Sequence, residues 1–576
     1  MSTPGTGSFG VPTRAGRSSV RARARSLSSS VGLAVVRTPE LTIGALGVLV
    51  SAAFGWVPSL WYDEAATVTS AQRSWGQLWA ELHNVDAVHG LYYALMHVWF
   101  WLVGYTPFTL RFPSALAIGL AAGLVVALGR RLGGRRLGIT AGLVFLAIPR
   151  VQWAGSEGRP YATITTLAVG LTLVGLTAVS RTRSGTGTGA AAGARAGAGF
   201  GARARAGAGA GRSLPWWIAY GLLALVSVTF NVYLSLAVVA HAVTLGWTLL
   251  AQRAGARTSP RSGTPRPSLV PRSAVVRWAV AVGIAAVVLT PFVLEVAAQS
   301  KQVSWIPGIE PRVVQQVFDA AWFGGIRTYA AVAWTLMALG TVTALVQAHR
   351  AAPTVRALFR AQAVRVALPL VVVPTGALLL ATALGKHLYS PKYASLSMPF
   401  VALLMALALT LLSRRALLAV AVAVVLLGSV PTAAYVKTPQ SKQDSTWAEA
   451  ASIVAAARAA NPAQADEGVV FGSVWKHQIA TADIIRIAYP TAFLGMTDLS
   501  VRTVATDHGV LWDKPGDVRS TIPARLADID TVFFVGGTSA TGNIEPQTAA
   551  TLAEHGFTRS GRWTTGHVVV SEYVRR

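Results

Sequence analysis

The chain of 576 residues has no cysteine, so disulfides and thiolate metal sites are excluded. Charge is also scarce: Asp, Glu, Lys and Arg make up 13% of the residues, whereas apolar types reach 53% and the mean hydropathy is +0.49. A soluble core of this size would carry a more polar surface. The composition instead predicts a helical membrane bundle with one domain outside it. Acids are outnumbered, 23 against 50 Lys and Arg, and lysine itself is rare, 7 of those 50. Heavy Arg, Ala and Gly use together reads as high-GC coding rather than a functional demand.

A net charge of +27 raises the question of nucleic acid. Its distribution argues against that. Residues 1–38, 130–136, 181–214, 253–277, 348–365 and 413–415 hold 28 Arg and not one Asp or Glu. All six lie before or between apolar runs, as cytoplasmic loops do under the positive-inside rule. The basic excess is a topology signal, and no nucleic-acid partner is expected.

Eleven spans are predicted: 41–60, 109–129, 137–150, 161–180, 215–232, 234–252, 278–296, 328–347, 366–385, 394–412 and 416–435. Alternate threading places every Arg-only segment inside. Residues 61–108, 151–160, 297–327, 386–393 and the chain after Lys437 fall outside. The run at 91–103 is apolar but only thirteen residues long and rich in aromatics, which suits an interfacial segment better than a crossing. Residues 1–38 read as a disordered cytoplasmic N-terminus, with an uncleaved first helix after it. The Gly/Ala/Arg stretch at 184–213 reads as a flexible cytoplasmic loop. From Lys437 onward 14 acids meet 13 bases in 140 residues. Short β-type runs at 468–471, 531–535 and 568–570, with a helical pattern over 445–460, predict a small extracytoplasmic α/β domain at 437–576. The transmembrane domain occupies 39–436.

The outer segments carry the chemistry. Asp63 and Glu64 follow the first apolar run inside Trp61-Tyr62-Asp63-Glu64. Partial desolvation there is expected to raise a carboxylate towards general-base range, although acids at a helix end also serve as plain surface charges or caps. Arg159, in Glu157-Gly158-Arg159-Pro160-Tyr161, offers a planar fork for phosphate oxygens, or else an internal ion pair with Glu157. Lys392 and Tyr393 stand in a segment with two lysines among seven residues, 386–392, and Arg111 begins the second span. Asp86, His83 and His89 share the first outer loop, where a divalent metal is conceivable but not demanded by spacing. Carboxylates and cations thus converge on one face, as displacement of a phosphate leaving group by a hydroxyl requires.

These motifs taken in order — WYDEA, HGLYYALMHVWFWLVG, LRFPSALA, LGRRLGG, EGRPYA and YSPKY — resemble the C-superfamily of membrane glycosyltransferases, specifically the protein O-mannosyltransferase and lipid A aminoarabinose-transferase group. The match is densest over 40–165 and thinner at 386–400. His89-Gly90 stands where the family usually has Pro-Pro, and Lys392 where Arg is common. The resemblance implies the fold of that superfamily and a polyprenyl-phosphate sugar as donor, with mannose as the prevalent choice. It implies inversion at the anomeric carbon and a glycan, lipid or protein acceptor outside the plasma membrane. Asp63 matches the catalytic acid and would act as base, with Glu64 orienting it or the acceptor. Arg111, Arg159 and Lys392 would hold the lipid phosphate. Asp86, His89, Tyr93, Glu157, Tyr161 and Tyr393 are the candidates for sugar or acceptor, and no metal ligand is implied. A lipid-linked sugar flippase is the alternative, disfavoured because the spans hold almost no ionisable groups. Transfer to asparagine lacks its Trp-Trp-Asp signature, and a mere membrane anchor would not need eleven spans.

Overall fold

The computed structural model describes residues 38–193, 201–257, 270–350, 353–460, 466–475, 477–539 and 542–576. It is a polytopic helical membrane protein carrying a C-terminal α/β domain. Among the described residues nine helices are long and apolar enough to span a bilayer: Pro107–Gly133, Tyr161–Ser184, Ser213–Phe230, Val232–Ala254, Arg272–Ala298, Arg327–Ala348, Val355–Ala383, Pro391–Leu409 and Arg415–Tyr435. Arg135–Ala147 and Pro149–Gly155, bent by 69° at Ile148-Pro149, make a tenth if counted as one. Proline explains that bend, since it has no N–H for the helical ladder and disfavours helix in the residue before it.

The first expected span is helical over less of its length than expected, and turns complete its run from the Arg130 end to the Arg111 end. Only Pro39–Ala52 is helical, 14 residues or ~21 Å of rise, less than a ~30 Å hydrocarbon core. Phe54 takes a left-handed φ of 57°, and turns containing Gly55 and Pro58 continue to Trp61. This short helix lies against Pro107–Gly133 through small residues. A Cβ on Gly44 would sit 3.0 Å from the Gly119 carbonyl oxygen, so bulk at that crossing would push the helices apart. The expectations for residues 1–38 and for the Gly/Ala/Arg stretch fall largely outside the described residues. Where that stretch is described, its backbone is helical to Gly193 and again from Gly201, in keeping with the high helix propensity of Ala and Arg.

Polar contacts sort the bundle into two ends. At one, Arg130 pairs with Glu40, Arg131 donates to Thr177 Oγ1 (2.8 Å), Arg136 to the Ser413 carbonyl (3.2 Å) and Arg360 to the Thr410 carbonyl (3.0 Å). Four of the Arg-rich segments therefore share one end. The short helix Gly90–Val103 belongs to the other. Asp86 and His89 before it line a cavity described below, while Tyr105 after it donates to the Ala488 carbonyl of the C-terminal domain (2.7 Å). It begins and ends on the same face and does not cross.

Among the described residues the C-terminal domain holds nine strands: β1 Glu467–Phe471, β2 Ser473–Val474, β3 His477–Thr481, β4 Thr497–Asp498, β5 Val501–Thr503, β6 Lys514–Pro515, β7 Thr531–Gly537, β8 Phe557–Thr565 and β9 Val568–Arg575. The main sheet runs β4-β1-β7-β9-β8, parallel across β4, β1 and β7 and antiparallel beyond. β7 is buried along its whole length, as a strand covered on both faces requires, and its TVFFVGG run is correspondingly apolar. The domain seats firmly on the bundle. Leu60 N–H donates to Tyr489 Oη (2.9 Å), Arg73 Nη2 to the Val510 carbonyl (2.6 Å) and Trp512 Nε1 to Tyr62 Oη (2.7 Å).

Candidate active site

A cavity of ≈ 1610 Å³ opens between the bundle and the C-terminal domain. Ligand pockets for single small molecules usually measure ~300–1,000 Å³, so this one has room for two reactants. Asp63 lies at its wall, in the first turn of helix Tyr62–Ala71, where the positive end of the helix dipole favours an acid.

Three separate segments meet at Asp63. Lys392 Nζ donates to Asp63 Oδ2 at 2.8 Å, the two side chains being 19% and 16% exposed. Arg159 Nη1 donates to the Asp63 carbonyl oxygen (3.1 Å), to Thr67 Oγ1 (3.3 Å) and to Tyr93 Oη (3.2 Å). Its Nε is buried with no hydrogen-bond partner, and the side chain lines the cavity. Lys392 Nζ also sits 5.2 Å from the centre of the Trp305 ring. Burial pushes the Asp63 carboxyl up, as expected from its position. The Lys392 and Arg159 cations outweigh burial and hold it down at about 2. The expected rise towards general-base range is thus reversed in the resting structure.

Glu64 and Arg111 take a different role from the one their sequence positions suggest. Arg111 Nε and Nη2 donate to Glu64 Oε1 and Oε2 (2.8 and 2.6 Å), a bidentate fork closed to solvent. Its remaining N–H groups go to the carbonyls of Gly55 (2.9 Å), Pro58 (2.7 Å) and Ser59 (3.2 Å). All five donors of the guanidinium are engaged, so none is left for a phosphate. Glu64 Oε1 also accepts from the Gly158 N–H (2.8 Å). Burial raises the Glu64 carboxyl, but Arg111 reverses this and leaves it lowered. Neither residue lines the cavity. The pair clamps the turn after the first helix to the loop that carries Arg159.

Of the remaining sequence candidates, Asp86, His89, Tyr161 and Tyr393 line the cavity. Asp86 accepts from Tyr93 Oη (2.7 Å), and burial raises its carboxyl. Burial likewise lowers His89 well below the usual imidazole range, and its Nδ1 is buried without a partner. Tyr93 stands behind the wall, joining Asp86 to Arg159. Glu157 is fully buried off the cavity. Neither of its carboxylate oxygens has a hydrogen-bond partner, so it forms no ion pair with Arg159, and burial pushes it up to about 8. His83 is exposed, with its ring on the Trp79 carbonyl (2.8 Å). Among the described residues no three His, Asp or Glu side chains gather where they would hold a metal.

Sequence reasoning missed two cations on the same wall. Lys442 is 1% exposed, its Nζ has no hydrogen-bond partner, and it lies 4.7 Å from the Trp153 ring centre. Arg150 stands 4.9 Å from the centre of the same ring. Lys442 follows the last span in a chain with so few lysines, which was an available signal. Arg150 had only its place after Pro149.

No family profile matches this chain, and no curated protein does. Two solved structures of ArnT from Cupriavidus metallidurans align over nearly all of it, one bound to undecaprenyl phosphate and one in the apo state. Both are 14% identical with a TM-score of 0.48. The first alignment covers 92% of this chain and 97% of that one, the second 94% and 98%. At that identity and score the likeness carries no argument about activity.

Proposed function

We propose that the protein is an inverting glycosyltransferase that moves a sugar from a polyprenyl phosphate to an acceptor hydroxyl at the outer membrane edge. The observation that carries this reading is the meeting of Asp63, Lys392 and Arg159 on one cavity wall, from three segments far apart in sequence. A carboxylate beside two cations suits base-assisted attack with departure of a phosphate. The motif resemblance points the same way, and mannose remains its suggestion for the sugar.

In this mechanism the donor phosphate enters beside Arg159 and draws Lys392 away from Asp63. Loss of that cation lets burial raise the Asp63 carboxyl, so donor binding itself restores its basicity. Asp63 then takes the acceptor hydroxyl proton as the oxygen attacks the anomeric carbon from the face opposite the phosphate. The bond from that carbon to the phosphate oxygen breaks, and the polyprenyl phosphate leaves with its charge met by Lys392 and Arg159. Glu64 and Arg111 hold Asp63 and Arg159 in register from behind.

By the positive-inside rule the Arg-rich end would face the cytoplasm and the cavity the outside, with the donor's lipid tail in the outer leaflet. Incubating the purified protein with labelled polyprenyl-phosphate sugars and membrane extracts, then identifying the labelled product and its anomeric configuration, tests the reading. Retention of configuration, or absence of transfer from every such donor, counts against it.

A further inference from the structure

The C-terminal domain meets the cavity with the edge at which α/β sheets characteristically bind ligands. Parallel β1 and β7 both end at it, through Ser473 beyond β1 and Gly536-Gly537 at the end of β7. Between them the β2–β3 hairpin reaches over the opening. At its tip, the Trp475 ring stacks on His567 (centroids 3.4 Å apart, planes within 5°). Two residues on, His477 stacks on Tyr62 (3.9 Å, 8°), the residue next to Asp63. Trp512 completes the second group, 5.1 Å from the Tyr62 ring and bonded to its hydroxyl.

All of these rings line the cavity. They form two stacked ring pairs, one beside Asp63 and one on the β8–β9 turn, joined by a single hairpin. The second lies on the turn between β8 and β9, where Gly566 takes a left-handed φ of 52° and the His567 carbonyl accepts from Thr538 N–H (3.0 Å). That turn is anchored, so the second pair is prearranged rather than loose. The cations, by contrast, lie on the membrane side, at Lys392, Arg159 and Lys442. The two stacked pairs form an aromatic roof on the side of the C-terminal domain, while Trp305 and Trp153 stand among the cations themselves. A flat ring with C–H groups on its face and hydroxyls around its edge is what such a roof accommodates.

We propose that the C-terminal domain recognises the acceptor, and that the acceptor is a carbohydrate: one sugar ring lies against Tyr62 and His477 with a hydroxyl at Asp63, and further residues of the glycan extend along Trp475 and His567. This rests on the glycosyltransferase reading and specifies its acceptor class.

The test separates the two. Full-length protein in nanodiscs is titrated with neutral manno-, gluco- and galacto-oligosaccharides, followed by saturation-transfer NMR, and donor-lipid binding is measured on the same samples. Wild type binds at least one series. Trp475→Ala weakens that binding about tenfold, the scale of one lost aromatic stack, and Trp475→Phe restores most of it. Donor-lipid binding is retained in both. His567→Ala, whose own stacking surface is smaller, gives the same direction should Trp475→Ala melt early. Failure of wild type to bind any of the oligosaccharides, or binding that ignores both substitutions, overturns the inference. Trp475-dependent binding of serine- and threonine-bearing peptides in place of sugars overturns it too. If oligosaccharides bind through Trp475 but no polyprenyl-phosphate sugar is ever turned over, the saccharide surface stands and the transferase reading falls.

Discussion

Replacing Arg111 with Gln removes a guanidinium that makes two bonds to the buried Glu64 carboxylate and three to backbone carbonyls. Glu64 is left charged, closed to solvent and without its counter-ion, with only the Gly158 N–H remaining among these contacts. Breaking a buried pair from one side costs roughly 3–5 kcal/mol, a large part of the ~5–15 kcal/mol that holds a typical domain together. Arg111→Gln should therefore lower the thermal midpoint sharply in detergent and reduce folded yield. Glu64→Gln should do so less, since a neutral amide still accepts from Arg111. The double variant Glu64→Leu/Arg111→Met leaves no orphaned charge and should recover part of the loss. Donor-lipid affinity of whatever folds should stay near wild type. A stable Arg111→Gln protein that has lost donor binding would show that Arg111 meets the phosphate and would refute this reasoning.

Lys392→Gln leaves burial to raise Asp63 against Arg159 alone. The acid limb of the kcat/KM profile should move upward, activity falling as pH drops through the new value, besides any loss of donor affinity. An unmoved limb would separate Asp63 from the limiting proton transfer. Glu157 has the opposite linkage. Its folded pKa is raised to about 8 from 4.5, so its penalty is absent below 4.5, grows as pH rises and levels off above about 8. At that plateau the shift corresponds to something on the order of 3–5 kcal/mol. Glu157→Gln should thus stabilise the protein more at pH 8.5 than at pH 5, and thermal melts at the two pH values decide it. Topology is tested in this cysteine-free chain by single cysteines at the exposed Ser304 and Ser184. An impermeant thiol reagent applied to intact cells should label the first and spare the second.

The bundle was legible because its signals are local and repeated: long apolar runs, and Arg segments without acids between them. The first span was over-read because hydropathy registers Gly55, Val57 and Pro58 as apolar without registering that they end a helix. Asp63, Arg159 and Lys392 could be singled out as charged residues in otherwise sparsely charged outer segments. Arg111 and Glu64 carried the same signal for a different reason. Sequence shows that a cation and an acid lie on one face, but not that five donors are already taken by one carboxylate and three carbonyls. The sign of the Asp63 shift was hidden for a related reason. Burial alone predicts a rise, and the Lys392 contact that reverses it spans 329 residues of chain. Lys442 and the aromatic roof depend on how the C-terminal domain docks, which no pattern within a single segment encodes.

Asp63 is the proposed base of the transfer from a polyprenyl phosphate. Asp63→Asn keeps the shape of the side chain and removes its basicity. The decisive measurement is single-turnover transfer from a labelled polyprenyl-phosphate sugar by purified wild-type and Asp63→Asn protein, with donor binding and thermal stability determined on the same preparations. Asp63→Asn should fold and bind donor, with a transfer rate lower by ~10²–10⁴-fold. A variant that folds, binds donor and transfers at close to the wild-type rate would contradict it.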